Sequence, residues 1–141
     1  MGEILYRFGE VKRAAQRVPV QHAHNVSRVD MGNTRMEEGL SLQGNEVTNY
    51  ATAASLAAIW HDRIMKAELV AGLSLLAAGV AVENKAGKIG SLTAGTVFLA
   101  DAGRNYLERT VMNVFARVAK DQRVLTKESF RGDPVLRLFL D

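Results

Sequence analysis

The feature that most constrains this chain is a pair of uncharged apolar runs, Leu69–Val82 and Ile89–Ala100, separated by the polar stretch Glu83–Lys88. Neither run contains proline, and both extend into longer segments whose apolar residues recur at helical spacing. From Glu46 to Val82 the series Val47, Tyr50, Ala51, Ala54, Ala57, Ala58, Ile64, Met65, Leu69, Leu73, Leu76 and Val80 keeps a period near 3.6. Asn45 is placed to cap that helix. From Ser91 to Gln122 the pattern resumes through Leu92, Leu99, Ala102, Tyr106, Val111, Val114, Phe115 and Val118. Gly87 suits a left-handed cap in the turn between them. A short turn between two long helices makes them antiparallel neighbours. The fold class expected is therefore all-α, a long helical hairpin over residues 46–123.

Placing Leu69–Val82 at 100° steps puts apolar groups on every face of the helix, the signature of a helix covered on all sides. Leu69, Leu73, Leu76 and Val80 form one stripe, with Leu75 and Val82 far around from it, and Phe98 and Leu99 point in separate directions. Two helices facing each other bury one stripe apiece, so the closed end of the hairpin needs other neighbours. Leu75, Val82, Leu92, Phe98 and Leu99 are the expected contact residues there. Ala71, Gly72, Ala78 and Gly79, together with the Ser91–Gly95 step, permit close helix contact. The uncharged runs are roughly 18–21 Å long as helices, whereas a bilayer core of about 30 Å takes about 20 residues. Protein is therefore expected to cover the closed end in preference to lipid, and no full-length transmembrane helix is read. The open end, His61 to Glu68 and Asp101 to Arg117, is charged and reads as ordinary wet surface.

The flanking segments are simpler. Residues 1–18 read as an amphipathic helix, with Ile4, Leu5, Phe8, Val11, Ala15 and Val18 on one side and Pro19 as its stop. Residues 19–45 show no sustained period and are punctuated by Gly32, Asn33, Gly39 and Gly44. They read as an irregular arm anchored by Val26, Val29, Met31, Leu40 and Leu42. Residues 124–141 form a short tail with a turn at Arg131–Pro134. It ends in an apolar hexamer whose Leu136, Leu138, Phe139 and Leu140 are expected to dock on something. The whole is read as one domain.

No arrangement of residues carries catalysis. There is no cysteine, which removes disulfides, thiolate metal sites and cysteine nucleophiles. His22, His24 and His61–Asp62 lack a third ligand at metal-site spacing and read as solvated histidines. Ala86–Ser91 resembles a phosphate loop only superficially, lacking the leading glycine and following a helix in place of a strand. Glu37–Glu38 has no apolar pocket to raise a pKa. No cofactor, metal or enzymatic role is expected. The net charge of +3 is a small excess of 18 basic over 15 acidic residues, with the signs interleaved along the last helix, so nucleic acid is not an expected partner. A secretory signal is not evident, and Gly2 is followed by Tyr6 where a myristoylation motif has Ser or Thr. A cytoplasmic place or a place within an assembled particle is favoured.

An over-apolar hairpin, an arm and a sticky tail without catalytic residues is the plan of a non-enzymatic assembly subunit. Homo-oligomers and virion-type or secretion and envelope-type complexes use it. A membrane-inserting hairpin is the alternative, and a nucleic-acid-associated helical protein comes third.

Overall fold

The computed structural model describes residues 19–136. The elements run α1 (Pro19–Glu37), β1 (Leu42–Gln43), α2 (Asn45–Ala81), α3 (Lys85–Lys120), β2 (Val124–Leu125) and α4 (Lys127–Arg131). The all-α hairpin expected from periodicity is present: α2 and α3 are 37 and 36 residues long, about 55 Å each at 1.5 Å per residue.

Two expectations about local structure change. The turn of the hairpin is tighter than the run Glu83–Lys88. Helix α3 starts at Lys85, because the Asn84 Oδ1 accepts the Ala86 N–H at 3.0 Å and caps it. Gly87 is therefore helical, and the positive φ angles among the described residues belong to Gly39 (83°) and Gly44 (57°). The second change concerns residues 19–45, of which 19 form helix α1 in place of an irregular arm. Pro19, expected to stop a helix, opens one. Its fixed φ and missing N–H suit the first helical position. Gly39 ends α1 in a Schellman closure, with the Leu40 N–H on the Arg35 carbonyl (3.0 Å) and the Gly39 N–H on that of Met36 (3.1 Å). The expected helix over residues 1–18 lies outside the described residues.

The chain divides into two compact units. In the first, residues 19–57 and 113–136, α1 buries Asn25, Val29, Gly32 and Met36, one helical face. Two of these four are not apolar, which is why no hydrophobic period marks the helix. Gly32 is there for space, since a Cβ on it would lie 2.6 Å from Cδ2 of Tyr50. Tyr50 donates its hydroxyl hydrogen to Asn33 Oδ1 at 2.6 Å. Its ring stands 6.4 and 6.2 Å from those of Phe115 and Phe130, which meet edge to face at 5.2 Å. Leu42 and Gln43 pair antiparallel with Leu125 and Val124. Lys127 pairs with Glu37.

The tail is ordered by Asp133, which pairs with Arg117 at 2.6 Å and accepts the Val135 N–H at 2.9 Å and the Leu136 N–H at 3.4 Å. Burial pushes this carboxyl up, but Arg117 and the two N–H groups outweigh it and hold the pKa below the usual aspartate range. Leu136 is fully buried in this unit, while Leu138, Phe139 and Leu140 lie outside the described residues.

Candidate interaction surface

The second unit, Ala58–Met112, holds the closed end of the hairpin. Its two helices meet on glycine. A Cβ on Gly72 would lie 2.9 Å from the Leu99 side chain, and one on Gly79 would lie 2.8 Å from that of Leu92. One on Gly95 would lie 2.9 Å from the carbonyl oxygen of Gly72 and 3.0 Å from Leu76. Ser91 adds a bond from its hydroxyl to the Leu75 carbonyl at 2.6 Å. The inner seam therefore runs through Gly72, Leu75, Leu76 and Gly79 on α2, and through Ser91, Leu92, Gly95 and Leu99 on α3.

This seam turns the expected faces around. Leu75, Val82 and Phe98, expected to look outward, are half-buried, as are Leu92 and Leu99, expected with them as contact residues, and Leu92 and Leu99 cover the glycines of the opposite helix. The outward side chains are instead Val80 (73% exposed), Val70 (68%), Val97 (63%), Leu73 (58%) and Ile89 (56%), with Leu69 beside them. The physical reason is distance. Helices approach most closely where no Cβ intervenes, so glycine selects the facing side; of the expected stripe only Leu76 reaches the seam, and Leu69, Leu73 and Val80 stay exposed. Spacing by seven at Gly72 and Gly79 carried that signal, and the larger leucines masked it.

Below the apolar band sits a polar network that pattern reading missed. His61, expected on a wet surface, is 4% exposed. Its Nδ1 lies 2.9 Å from Asn105 Oδ1 and 3.0 Å from Glu108 Oε2, both acceptors, so this nitrogen carries the hydrogen. Asn105 in turn donates through Nδ2 to Glu68 Oε2 at 3.0 Å and to the Asp101 carbonyl at 3.2 Å. Burial pushes the Glu68 carboxyl up to about 7, helped by Asp101, to which it bonds when protonated, and opposed by Asn105 and Arg104. Arg109 reaches Asp62 at 2.6 Å across the hairpin, and Lys66 joins Asp62 from its own helix at 2.8 Å. Lys66 and Arg109 hold the Asp62 carboxyl low. The network fastens α2 to α3 through groups 37 to 47 residues apart, which no local spacing displays.

No group of three or more His, Asp or Glu side chains among the described residues is arranged to hold a metal ion. The length argument against a membrane span also needs correction. It counted only the uncharged run. With up to two charged side chains tolerated, α2 is long and apolar enough to cross a membrane by length and composition, and 11% of its apolar 18-residue window is buried. The chain matches no family model, no curated protein and no solved structure.

Proposed function

We propose that this chain is a non-enzymatic structural subunit of a larger assembly, of the virion or secretion and envelope kind, and that the closed end of its hairpin is a subunit contact. The observation that carries this reading is the outward apolar band of Val70, Leu73, Val80, Ile89 and Val97 on two helices already closed against each other. Left in water, these five side chains forgo roughly 1 kcal/mol or more apiece, on the order of 5 kcal/mol together, at about 25 cal/mol per Å² of apolar surface. That is comparable to the net stability of a domain. Several large apolar side chains exposed on one helix pair are the mark of a contact surface. Size-exclusion chromatography with light scattering tests it: a mass several times 15.4 kDa is expected, and a well-behaved monomer with a cooperative melt overturns it.

A second reading, insertion of the hairpin into a bilayer, is favoured by the length and apolar character of α2. Dye release from phosphatidylcholine and phosphatidylglycerol vesicles, abolished by Val80→Asp, would support it. Absence of vesicle binding removes it.

A further inference from the structure

The polar network beneath the apolar band closes into a ring of six side chains. Glu68 bonds to the Asp101 carboxyl when protonated and accepts the Asn105 Nδ2 hydrogen at 3.0 Å. Asn105 Oδ1 and Glu108 Oε2 accept from His61 Nδ1 at 2.9 and 3.0 Å. Arg104 joins Glu108 at 3.0 Å and stands 4.0 Å from Asp101, which completes the circuit. His61 and Glu68 come from α2, and the other four from α3.

The ring has more acid than base. The carboxyls of Glu68, Asp101 and Glu108 share the Arg104 guanidinium and the His61 imidazole. Glu108 takes both Arg104 and His61, and Asp101 has Arg104 beside it, whereas Glu68 forms no ion pair among the described residues. Both amide hydrogens of Asn105 are committed, one to Glu68 and one to the Asp101 carbonyl, so none is left to stand between the two carboxyls. Carboxyl groups in bonding contact do not both ionise. A proton is what keeps Glu68 on Asp101, and burial adds to the same demand. Each of the two is only half-buried, so that proton can leave to water without unfolding.

We infer that this contact is a proton-operated latch: one proton shared by Glu68 and Asp101 holds α2 on α3 at the foot of the closed end, and its loss parts the helices there within the folded chain. Gly72 lies one turn beyond Glu68 on α2, and Leu99, which covers it, lies two residues before Asp101 on α3. The glycine seam therefore starts directly above the latch, and contacts that close are forfeited by small separations. The bonded carboxyl holds its proton to about 7, against 4.5 for a free one, so the latch is shut on the acid side and released as the pH rises past 7. It concerns the contact of α2 with α3 inside one copy, so it stands or falls apart from the assembly reading.

The chain has no native cysteine, which makes labelling direct. With nitroxides on Ala67→Cys/Gly103→Cys, exposed positions beside the pair on α2 and α3, the distance distribution should shift to longer values from pH 5.5 to pH 8.5. Adding Glu68→Gln, whose amide can donate to Asp101 at either pH, should hold the short distance throughout. In the unlabelled chain, the NMR signals of the Glu68 carboxyl carbon and of the Gly72 and Leu99 amides should move with one midpoint near 7. Asp101→Asn should shift that midpoint downward. A Glu68 that titrates as an ordinary glutamate overturns the proposal. So does a midpoint near 7 at constant distance, because Glu68 then swings into water without parting the helices. A distance change that survives Glu68→Gln belongs to another group, His61 foremost, and overturns it too. Where the labels disturb folding, the NMR titration decides alone: seam amides that follow Glu68 support the latch, and seam amides indifferent to it overturn it. A change of mass by light scattering over the same pH range assigns the movement to association and also overturns it.

Discussion

Gly95→Ala is the sharpest perturbation of the hairpin seam. Alanine is the better helix former by about 1 kcal/mol, so on propensity alone this exposed-looking Gly-rich helix should be stabilised. The structure predicts the reverse. The new methyl carbon would stand 2.9 Å from the Gly72 carbonyl oxygen, a backbone atom that no rotamer change can move, and 3.0 Å from Leu76. Relieving it requires the helices to part along the seam, which also loosens Leu92 and Leu99 over Gly79 and Gly72. Overpacking of this kind costs about 1–3 kcal/mol, so the net expectation is a loss of about 1 kcal/mol, or roughly 3–5 °C in Tm for a chain of this size. Gly103→Ala is the control. With nothing within 4 Å of its Cβ, it should gain about 0.5–1 kcal/mol. Urea unfolding followed by circular dichroism, at the lowest usable concentration so that association does not contribute, compares the two. Equal stabilisation by both substitutions would refute the close backbone approach on which the facing of the helices rests.

Three further outcomes follow from the geometry. Asn105→Ala removes one of the two acceptors of His61 Nδ1, leaving Glu108, and also the donor to Glu68, and should cost about 2 kcal/mol in urea unfolding; a change below about 0.5 kcal/mol would show the network to be idle. Glu68 binds its proton near 7 in the folded chain against 4.5 for an ordinary glutamate, so between these values the folded state holds more protons and stability falls as pH rises through 7. Tm should accordingly be higher at pH 5.5 than at pH 8.5, and Glu68→Gln should flatten that difference; the lowered carboxyls of Asp62 and Asp133 titrate below this window. Tyr50→Phe loses the bond to Asn33 and should cost about 1 kcal/mol. Burial also pushes the Tyr50 phenol up, so absorbance at 295 nm should show it resisting ionisation until the protein unfolds.

The hairpin was legible in sequence because a 3.6 period sustained over more than thirty residues admits no other reading. Helix α1 was not. Its buried face alternates apolar Val29 and Met36 with Asn25 and Gly32, and Gly32 is chosen by the ring of Tyr50, a residue in another element. The direction in which the closed end faces was present in Gly72, Gly79 and Gly95, but a rule that assigns the largest side chains to the inside reads it backwards. His61 illustrates a harder limit. Its burial depends on Asn105 and Glu108, more than forty positions away on another helix, and a charged neighbourhood in sequence resembles a wet one.

The division of the chain into two units has a kinetic consequence. The closed end is assembled from residues 58–112, with a turn at its centre, so its contacts join neighbours in sequence and close small loops first. The unit holding Tyr50, Phe115 and Phe130 joins residues 19–57 to 113–136 and must wait for the intervening fifty-odd residues to fold back on themselves. The hairpin is thus the loop whose closure brings the aromatic cluster together. Substitutions at the glycine seam should slow folding, while those at Phe130 should act mainly by speeding unfolding. During synthesis the apolar band emerges, and is available to a neighbour, before the segment carrying Phe130 has left the ribosome.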